Sequence, residues 1–285
     1  MGIKSRIVSV LLWDEHGAVK GRGFNPGRRI GSIRDRIRVC ERREIDELII
    51  LDISATPNKR SPRFDEVQLL CENLFMPVTV GGGIRNLNDI RRLLASGADK
   101  VSINSAANSR LISDAAMKFG SQAIVISIDA NSSGLVKTHC GSKDAGFTAI
   151  EWALDAELNG AGEILLTDIE RDGTMKGYNL DLIRSVSEAV SIPVIACGGC
   201  SSYEDMERAF DAGAHAVAVG ALFQFTDNTP REASRYLNNR GIAARDDSGK
   251  EVEIDPYETA VIEDYDRSGL DAETWFESRG RFMLS

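Results

Sequence analysis

Eight short runs of apolar residues recur along the chain, separated by stretches with the spacing of amphipathic helices. The runs cover residues 6–12, 47–52, 77–80, 100–103, 123–128, 163–167, 193–196 and 215–219. Short runs that are apolar throughout are typical of strands buried on both faces, as in a parallel sheet covered by helices. Eight strand–helix units within about 240 residues match the size of a (β/α)8 barrel. We therefore predict an α/β fold of the TIM-barrel type.

An internal repeat supports a closed barrel. A shift of 116 residues places Glu47 on Glu163 and Asp52 on Asp168. The same shift pairs Pro77 with Pro193, Val78 with Val194, Gly82 with Gly198, Gly83 with Gly199, Asp89 with Asp205, Arg92 with Arg208, Gly97 with Gly213, Ala98 with Ala214 and Val101 with Val217. A doubly wound open sheet does not require its last four strands to repeat the first four in order. The pattern predicts two half-barrels.

The negative charge is concentrated at the end of the chain. Of a net charge of −9, residues 241–285 carry twelve acidic and five basic side chains. Because the strand–helix pattern stops after residue 240, we predict a barrel over 1–240 and an acidic tail over 241–285. The tail is a candidate docking site for a further protein.

Composition indicates where the protein is located and which classes of partner it does not bind. The chain is acidic and lacks interleaved basic and aromatic residues, which argues against nucleic acid. No apolar run reaches membrane-spanning length, and the first residues lack the features of a signal peptide, so we expect no membrane association and a cytoplasmic location. The odd number of scattered cysteines suits a reducing compartment. Cys197 and Cys200 have metal-like spacing without a second ligand pair, so we expect neither metal nor organic cofactor.

Glycines and carboxylates mark the carboxyl ends of the predicted strands, where barrel enzymes place their active sites. Glycines at 81–83, 198–199 and 220 let backbone N–H groups approach an anion, although tight turns also explain glycine. Two such sites related by the repeat predict a ligand with two phosphates. Asp129 ends the fifth strand and is a candidate general acid or base. Asp52 and Asp172 also follow strands, but Asp172 precedes glycine and could simply form a turn.

Charged residues also mark the amino ends of four predicted strands. They are Arg6, Glu47, Lys100 and Glu163. Buried charges must pair, so two cations and two anions could form a ring across the bottom of the barrel, or serve only as a structural plug. Residues 1–45 additionally hold eleven basic side chains against five acidic ones, and an entrance of this charge attracts anionic metabolites.

Together these motifs closely resemble the cyclase subunit of imidazole glycerol phosphate synthase, from about residue 6 to residue 240. The matching segments are VGGGIR at 80–85, DKVSINSAA at 99–107, FGSQ at 119–122, GEILLT at 162–167, RDGT at 171–174, GY at 177–178 and IPVIA at 192–196. The resemblance implies a barrel that binds a bis-phosphorylated substrate. It also implies ammonia supplied by a separate glutaminase subunit, which docks on the amino-terminal face and delivers ammonia past a gate of four charges.

The resemblance assigns roles residue by residue. Arg6, Glu47, Lys100 and Glu163 correspond to the gate, and Asp99 to the surface facing the glutaminase. The phosphate-binding positions correspond to Lys20, Gly82, Gly83, Asn104, Ser105, Asp172, Gly199, Gly220 and Ala221. The family closes the imidazole ring with two aspartates at the ends of the first and fifth strands. Asp129 matches the second of these.

The first catalytic aspartate of the family is replaced here by Leu12, which can neither donate nor accept a proton. Asp14 faces the same side of a continuing strand but lies roughly 6.6 Å further along, and is the candidate substitute. A displacement of ~1 Å can cost ~100-fold in rate, so we expect the ring-closing chemistry to be weakened.

This substitution leaves three functions open. The chain resembles a paralogous group that supplies ammonia to a third protein, which converts an acetamido sugar to an acetamidino sugar for surface polysaccharides. That group shares the leucine-rich end of the first strand, DGTMKGY at 172–178 and ACGG at 196–199. We predict this function first. Imidazole glycerol phosphate synthesis in histidine biosynthesis is the alternative, and a non-catalytic scaffold that activates the glutaminase is the second.

Overall fold

The computed structural model describes residues 4–72 and 74–245 as a barrel of strands surrounded by helices. The strands are β1 (Arg6–Asp14), β2 (Gly17–Arg22), β3 (Asn25–Gly31), β4 (Glu47–Asp52), β5 (Val78–Gly81), β6 (Lys100–Ile103), β7 (Ile124–Ala130), β8 (Leu135–Thr138), β9 (Lys143–Thr148), β10 (Glu163–Asp168), β11 (Val194–Cys197) and β12 (Ala216–Val219). The helices are α1 (Ile33–Arg42), α2 (Phe64–Cys71), α3 (Leu87–Ala95), α4 (Ser109–Phe119), α5 (Ala149–Leu158), α6 (Leu180–Ala189), α7 (Tyr203–Asp211), α8 (Ala221–Phe225) and α9 (Pro230–Asn239).

Eight of these strands close into a ring. Their order is β1, β4, β5, β6, β7, β10, β11 and β12, and β12 returns to β1. Every pairing around the ring is parallel. The (β/α)8 barrel predicted from the apolar runs is confirmed. Each of the eight predicted runs forms one barrel strand, in the predicted order.

Side chains along each strand point alternately into the barrel and towards the surrounding helices, and so form two separate hydrophobic cores. On β1, Val8 and Val10 belong to a small apolar cluster inside the barrel, whereas Ile7 and Leu11 belong to the large cluster under the helices. Both sets are almost entirely buried, so the strands are apolar on both faces. The polar side chains that do occur on inward positions are therefore exceptions that point to function.

The two half-barrels repeat even in their helix caps. Asn86 and Ser202, which are 116 residues apart, cap α3 and α7 by accepting hydrogen bonds from the backbone N–H groups of Asp89 and Asp205. Each of these aspartates in turn accepts a backbone N–H from the loop before its helix. Such reciprocal caps fix where a helix begins and thereby shape the preceding loop at the catalytic end of the barrel.

Two antiparallel hairpins lie outside the predicted pattern. β1 continues past residue 12 to Asp14 and folds back through β2 and β3, and β7 is followed by the hairpin of β8 and β9. Their sequences are polar and rich in glycine, so they lack the apolar runs that mark the barrel strands. Both hairpins extend from the carboxyl ends of strands and so build the walls of the catalytic face.

The barrel unit extends slightly beyond the predicted boundary at residue 240. Ser5 donates its backbone N–H to the carbonyl of Ala243 at 2.7 Å and forms a β-bridge with Ala244. The predicted acidic tail from residue 246 onward lies outside the described residues. Among the described residues, no helix is both long and apolar enough to cross a membrane.

Candidate active site at the carboxyl ends of the strands

Asp129 lies on an inward position near the end of β7, in the mouth of the barrel. Its carboxylate accepts hydrogen bonds from Asn104 Nδ2 at 3.0 Å and from Ser127 Oγ at 3.3 Å, and it is 9% exposed. Thr167, its register partner on β10, adds a further hydrogen bond. Three polar side chains thus hold one carboxylate in a fixed orientation at the place where a barrel enzyme reacts with its substrate.

The pKa of Asp129 is raised to about 7, mainly by burial and in part by the nearby charge of Asp172, while the hydrogen bonds from its neighbours oppose the shift. A carboxyl group with a pKa near neutral pH is populated in both protonation states. It can therefore accept and return a proton within one catalytic cycle. This is the property expected of a general acid or base.

The first strand offers no second carboxylate at the same level. Leu12 takes the inward position after Val10 and packs against the apolar cluster inside the barrel. Asp14 lies where β1 turns into β2, and its Oδ1 accepts the backbone N–H of His16 at 2.7 Å. Arg29 Nε lies 3.9 Å from Asp14 Oδ2. The carboxylate of Asp14 is thus engaged within the hairpin, and its role as a substitute for the missing aspartate stays a prediction.

Lys20, Asp172 and Gly220 come together on another side of the mouth. A Cβ on Gly220 would lie 2.6 Å from Lys20 Nζ, so the ammonium group lies against the start of α8 and Ala221. Burial raises the pKa of Asp172, and the nearby positive charge of Lys20 opposes this rise. An ionised carboxylate repels phosphate. Asp172 is therefore better placed to orient Lys20 than to touch a phosphate itself.

The other predicted phosphate residues follow β5 and β6. Gly82 has a φ of +106°, and a Cβ there would lie 2.3 Å from the carbonyl oxygen of Asp52; Gly83 follows it in the same turn. Ser105 Oγ donates to Asn104 Oδ1 at 3.0 Å and accepts the backbone N–H of His139 at 2.9 Å. This network links the turn after β6 to Asp129 through Asn104. Phosphate binding here stays a prediction.

Gly199 illustrates why glycine alone is an ambiguous signal for phosphate. Its φ is +104°, and a Cβ would lie 2.2 Å from the carbonyl oxygen of Gly177. We expect Gly199→Ala to lower the free energy of unfolding by about 2–4 kcal/mol, since left-handed strain adds to a backbone clash. Gly146 is the matched control, because its φ is +85° and a Cβ there would meet nothing within 4 Å. Gly146→Ala should cost only about 1 kcal/mol. Equal losses in urea denaturation would contradict this explanation.

Four charges form a closed ring at the opposite, amino-terminal end of the barrel. Arg6 contacts Glu47 and Glu163, each at 2.8 Å. Lys100 Nζ lies 2.8 Å from Glu163 and 3.4 Å from Glu47. All four side chains are less than 20% exposed. Each cation thus contacts both anions, so the ring is neutral and spans the barrel entrance.

Hydrogen-bonded side chains fix the strands around this ring. Asp46 Oδ2 accepts the backbone N–H of Ile7 at 2.8 Å, and Asp99 Oδ2 accepts that of Val78 at 2.8 Å. Burial raises the pKa of Asp46 to about 6. Asp99 is exposed on the amino-terminal face and is thus accessible to a partner, as its predicted role requires.

The two closely spaced cysteines face different cores. Cys197 packs against the cluster inside the barrel, whereas Cys200 is buried in the large outer cluster. Burial raises the pKa of both thiols to about 12, so neither is a ready thiolate ligand. No group of three or more potential metal ligands occurs in residues 4–72 and 74–245.

Sequence reasoning missed part of the surroundings of Asp129. Ser127 and Thr167 count in the sequence only as members of apolar runs, although both contact Asp129. Strand periodicity offers a signal, because Ser127 is two residues before Asp129 and shares its face. Thr167 could be found only from the register between β7 and β10, which depends on closure of the barrel.

Comparison with known proteins agrees with this architecture. Residues 6–229 match the family model described as histidine biosynthesis protein. The chain is 42% identical over 248 residues to the imidazole glycerol phosphate synthase subunit HisF of Thermococcus onnurineus (strain NA1), covering 85% of this chain and 98% of that subunit. The matched residues include the four charges of the ring, the glycine turns that follow β5 and β11, and the strand β7 that carries Asp129. The chain therefore belongs to the histidine biosynthesis protein family, among relatives of the cyclase subunit of imidazole glycerol phosphate synthase.

Proposed function

We propose that this chain is the ammonia-receiving barrel of a glutamine-dependent amidotransferase and acts as an imidazole glycerol phosphate synthase cyclase subunit. In that reaction a bis-phosphorylated ribulosyl-aminoimidazole carboxamide precursor and ammonia give imidazole glycerol phosphate and aminoimidazole carboxamide ribotide. The similarity to HisF over nearly the whole of that subunit supports the proposal. Its partner is then a glutaminase on the amino-terminal face, where Asp99 is exposed.

The single observation that carries the proposal is the neutral ring of Arg6, Glu47, Lys100 and Glu163 at one end of the barrel, with Asp129 at the other. Burying four charges at a barrel end brings no packing advantage over apolar residues. A ring of alternating charges can open for a small polar molecule and close again. Ammonia entering there would pass along the inward side chains towards Asp129.

Each end of the proposed substrate has a matching site. Lys20, Gly220 and Ala221 provide a positive charge and a helix start for one phosphate, together with the turn at Gly199. The turn with Gly82 and Gly83, next to Asn104 and Ser105, is the site of the other. The reacting centre would then lie between them, where Asp129 accepts a proton from the attacking ammonia or returns one during ring closure.

Leu12 favours a second candidate function. Ring closure in this family uses a second aspartate where this chain has an apolar side chain, and Asp14 is engaged in its hairpin. A barrel that only delivers ammonia has no need for that group. In this candidate, ammonia passes to a third protein that amidates an acetamido surface sugar to an acetamidino sugar. A purely non-catalytic scaffold is disfavoured, because it has no chemical need for the buried carboxylate of Asp129.

The ring can be tested by comparing two ammonia sources. We expect Glu163→Gln to reduce glutamine-dependent turnover by about tenfold, because Lys100 and Arg6 lose a shared partner and an uncompensated positive charge obstructs the entrance. Turnover with saturating ammonium salt, which enters through the open mouth, should be unchanged. Steady-state assays with the glutaminase partner present measure both rates.

The exposed Glu188→Gln variant is the control for loss of one negative charge. Glutamine hydrolysis, measured separately, shows whether the glutaminase is still activated. If Glu163→Gln lowers glutamine-dependent turnover and ammonium-supported turnover equally, the ring is a structural plug. If it lowers glutamine hydrolysis and glutamine-dependent turnover to the same extent, the ring serves activation of the glutaminase and not the passage of ammonia.

A further inference from the structure

A cavity of about 60 Å³ lies outside the barrel, between β1, α1 and α8. Its polar lining includes Ser9, Arg36, Cys40, Arg43 and Gln224. Ser9 and Leu11 alternate with Val8 and Val10, so the cavity lies on the opposite side of β1 from the interior of the barrel. It is therefore separate from the mouth that holds Asp129.

Two guanidinium groups line this cavity without a carboxylate partner among the described residues. Arg36 donates from Nε and Nη2 to the carbonyl oxygen of Ile30, with the Nε contact at 2.8 Å. Arg43 Nη1 donates to the carbonyl oxygen of Phe223 at 2.8 Å. Each guanidinium retains further N–H groups, since it has five in all.

The electrostatic balance of the cavity is positive. Burial is the main factor that lowers the pKa of Arg36; Cys40 and Asp35 oppose this shift, and the charge of Arg43 makes a smaller contribution that also lowers the pKa. Burial raises the pKa of Cys40, so its thiol is protonated and supplies no negative charge. Partly buried like charges that face one cavity are unfavourable unless an anion joins them.

The remaining polar atoms suit a small oxyanion. Gln224 Oε1 is buried without a hydrogen-bond donor among the described residues, while Gln224 Nε2 donates to the carbonyl oxygen of Val10 at 3.4 Å. Ser9 Oγ accepts from Cys40 Sγ at 3.4 Å, which leaves its own proton free to be donated. A small oxyanion would accept from the arginines and Ser9, and hydrogen phosphate would in addition donate to Gln224 Oε1.

We propose that this cavity is a binding site for a small oxyanion of the phosphate and sulfate class, held by Arg36 and Arg43. The space suits a group of a few heavy atoms, because one water needs only about 10–15 Å³ by the same measure. The bound anion joins α1 to the end of α8. Since α8 begins at Ala221, directly after Gly220, the site lies behind the proposed phosphate cradle of the mouth. It does not depend on which reaction the barrel performs.

Sulfate binding to the full chain tests the proposal. Equilibrium dialysis with radiolabelled sulfate at low ionic strength gives the affinity and the number of sites. We expect Arg36→Met and Arg43→Met each to weaken one site by about 10- to 100-fold, the value of a hydrogen bond to a charged group. Arg38→Met removes a charge from the exposed face of the same helix and should leave that site unchanged. Phosphate should displace the sulfate.

Two further measurements keep the result unambiguous. Arg36→Lys and Arg43→Lys retain the charge, so sulfate affinity should largely recover if the methionine variants lose binding rather than folding. In selenate-soaked crystals, anomalous scattering should place a selenium atom in the cavity between the two guanidinium groups. The proposal is overturned if the cavity holds no selenate at saturation, or if Arg36→Met and Arg38→Met bind sulfate equally.

Discussion

Replacing Asp129 with asparagine is expected to lower ammonium-supported turnover by about 10²- to 10⁴-fold, the usual contribution of a general acid or base. Asparagine keeps the shape of the side chain and can still contact Asn104, Ser127 and Thr167, so the loss reports on proton transfer. In the wild type, kcat/KM should change slope near pH 7, because burial raises the pKa of Asp129 to about 7. The residual activity of the variant should lack this bend.

The same substitution should stabilise the protein at alkaline pH. The pKa of Asp129 lies above its ordinary value of 3.8, so folding favours the protonated carboxyl. Its stabilising contribution is complete below about pH 4 and is lost as the pH rises through about 7. Above that pH the wild type carries a buried negative charge that Asp129→Asn lacks. We expect the variant to be more stable by about 1–3 kcal/mol at pH 8, with a smaller difference at pH 5.

Asp52→Asn is the matched control for this experiment. Asp52 also ends a barrel strand, but it forms ion pairs with Arg60 at 2.8 Å and Arg63 at 3.3 Å. Removing it leaves those arginines partly uncompensated, so stability should fall by about 3 kcal/mol. Urea denaturation at both pH values separates the two cases. If Asp129→Asn is destabilising at pH 8, or retains wild-type turnover, Asp129 is a structural carboxylate and the proposed chemistry is wrong.

The fold and the charged ring could be predicted because both follow from local periodicity. The apolar runs identified all eight barrel strands, and the repeat fixed their order. Arg6, Glu47, Lys100 and Glu163 each begin a strand, and parallel strands in a barrel bring their amino ends to one side. Closure of the ring then required only that the four side chains point inward, which the structure shows.

The detailed surroundings of the active site could not be predicted, because they depend on contacts between distant segments. The contact of Asn104 with Asp129 joins two adjacent strands at a particular register. The sequence suggests Asp14, on a continuing strand, as a substitute for the missing catalytic aspartate. In the structure, the unpredicted β1–β2 hairpin engages the carboxylate of Asp14. Lys20 reaches Gly220 because β2 folds back across the mouth. None of these contacts has a signature within a single sequence window.

Substitution of Leu12 tests which molecule accepts the ammonia. Leu12 points into the barrel and packs against the apolar cluster there, at the position that by resemblance corresponds to the family's first catalytic aspartate. If ammonia passes to a third protein, we expect Leu12→Asp to raise ammonium-supported turnover of the bis-phosphorylated precursor by about 10²- to 10⁴-fold, because it restores a second proton-transferring group opposite Asp129. If the wild-type barrel is itself a cyclase subunit, the increase should stay below about tenfold. Placing a carboxylate there should lower the free energy of unfolding by about 1–3 kcal/mol.

Controls separate proton transfer from a change of polarity. Leu12→Asn introduces a polar side chain with the shape of aspartate that cannot transfer a proton under these conditions. This variant should not raise turnover. Leu12→Asp combined with Asp129→Asn should be inactive, since both carboxyl groups are then required. Circular dichroism and thermal unfolding establish that each variant is folded before its rate is compared.

Wild-type turnover decides between the two proposed functions. If the wild type already forms imidazole glycerol phosphate at a rate within about tenfold of Leu12→Asp, Leu12 is tolerated and the barrel is a cyclase subunit. If only Leu12→Asp is active, the phosphate sites and Asp129 are intact, but the natural acceptor lies elsewhere, as in sugar amidation. If neither is active, the mouth does not hold the bis-phosphate productively, and cyclase function is excluded even though the ring of charges can still admit ammonia.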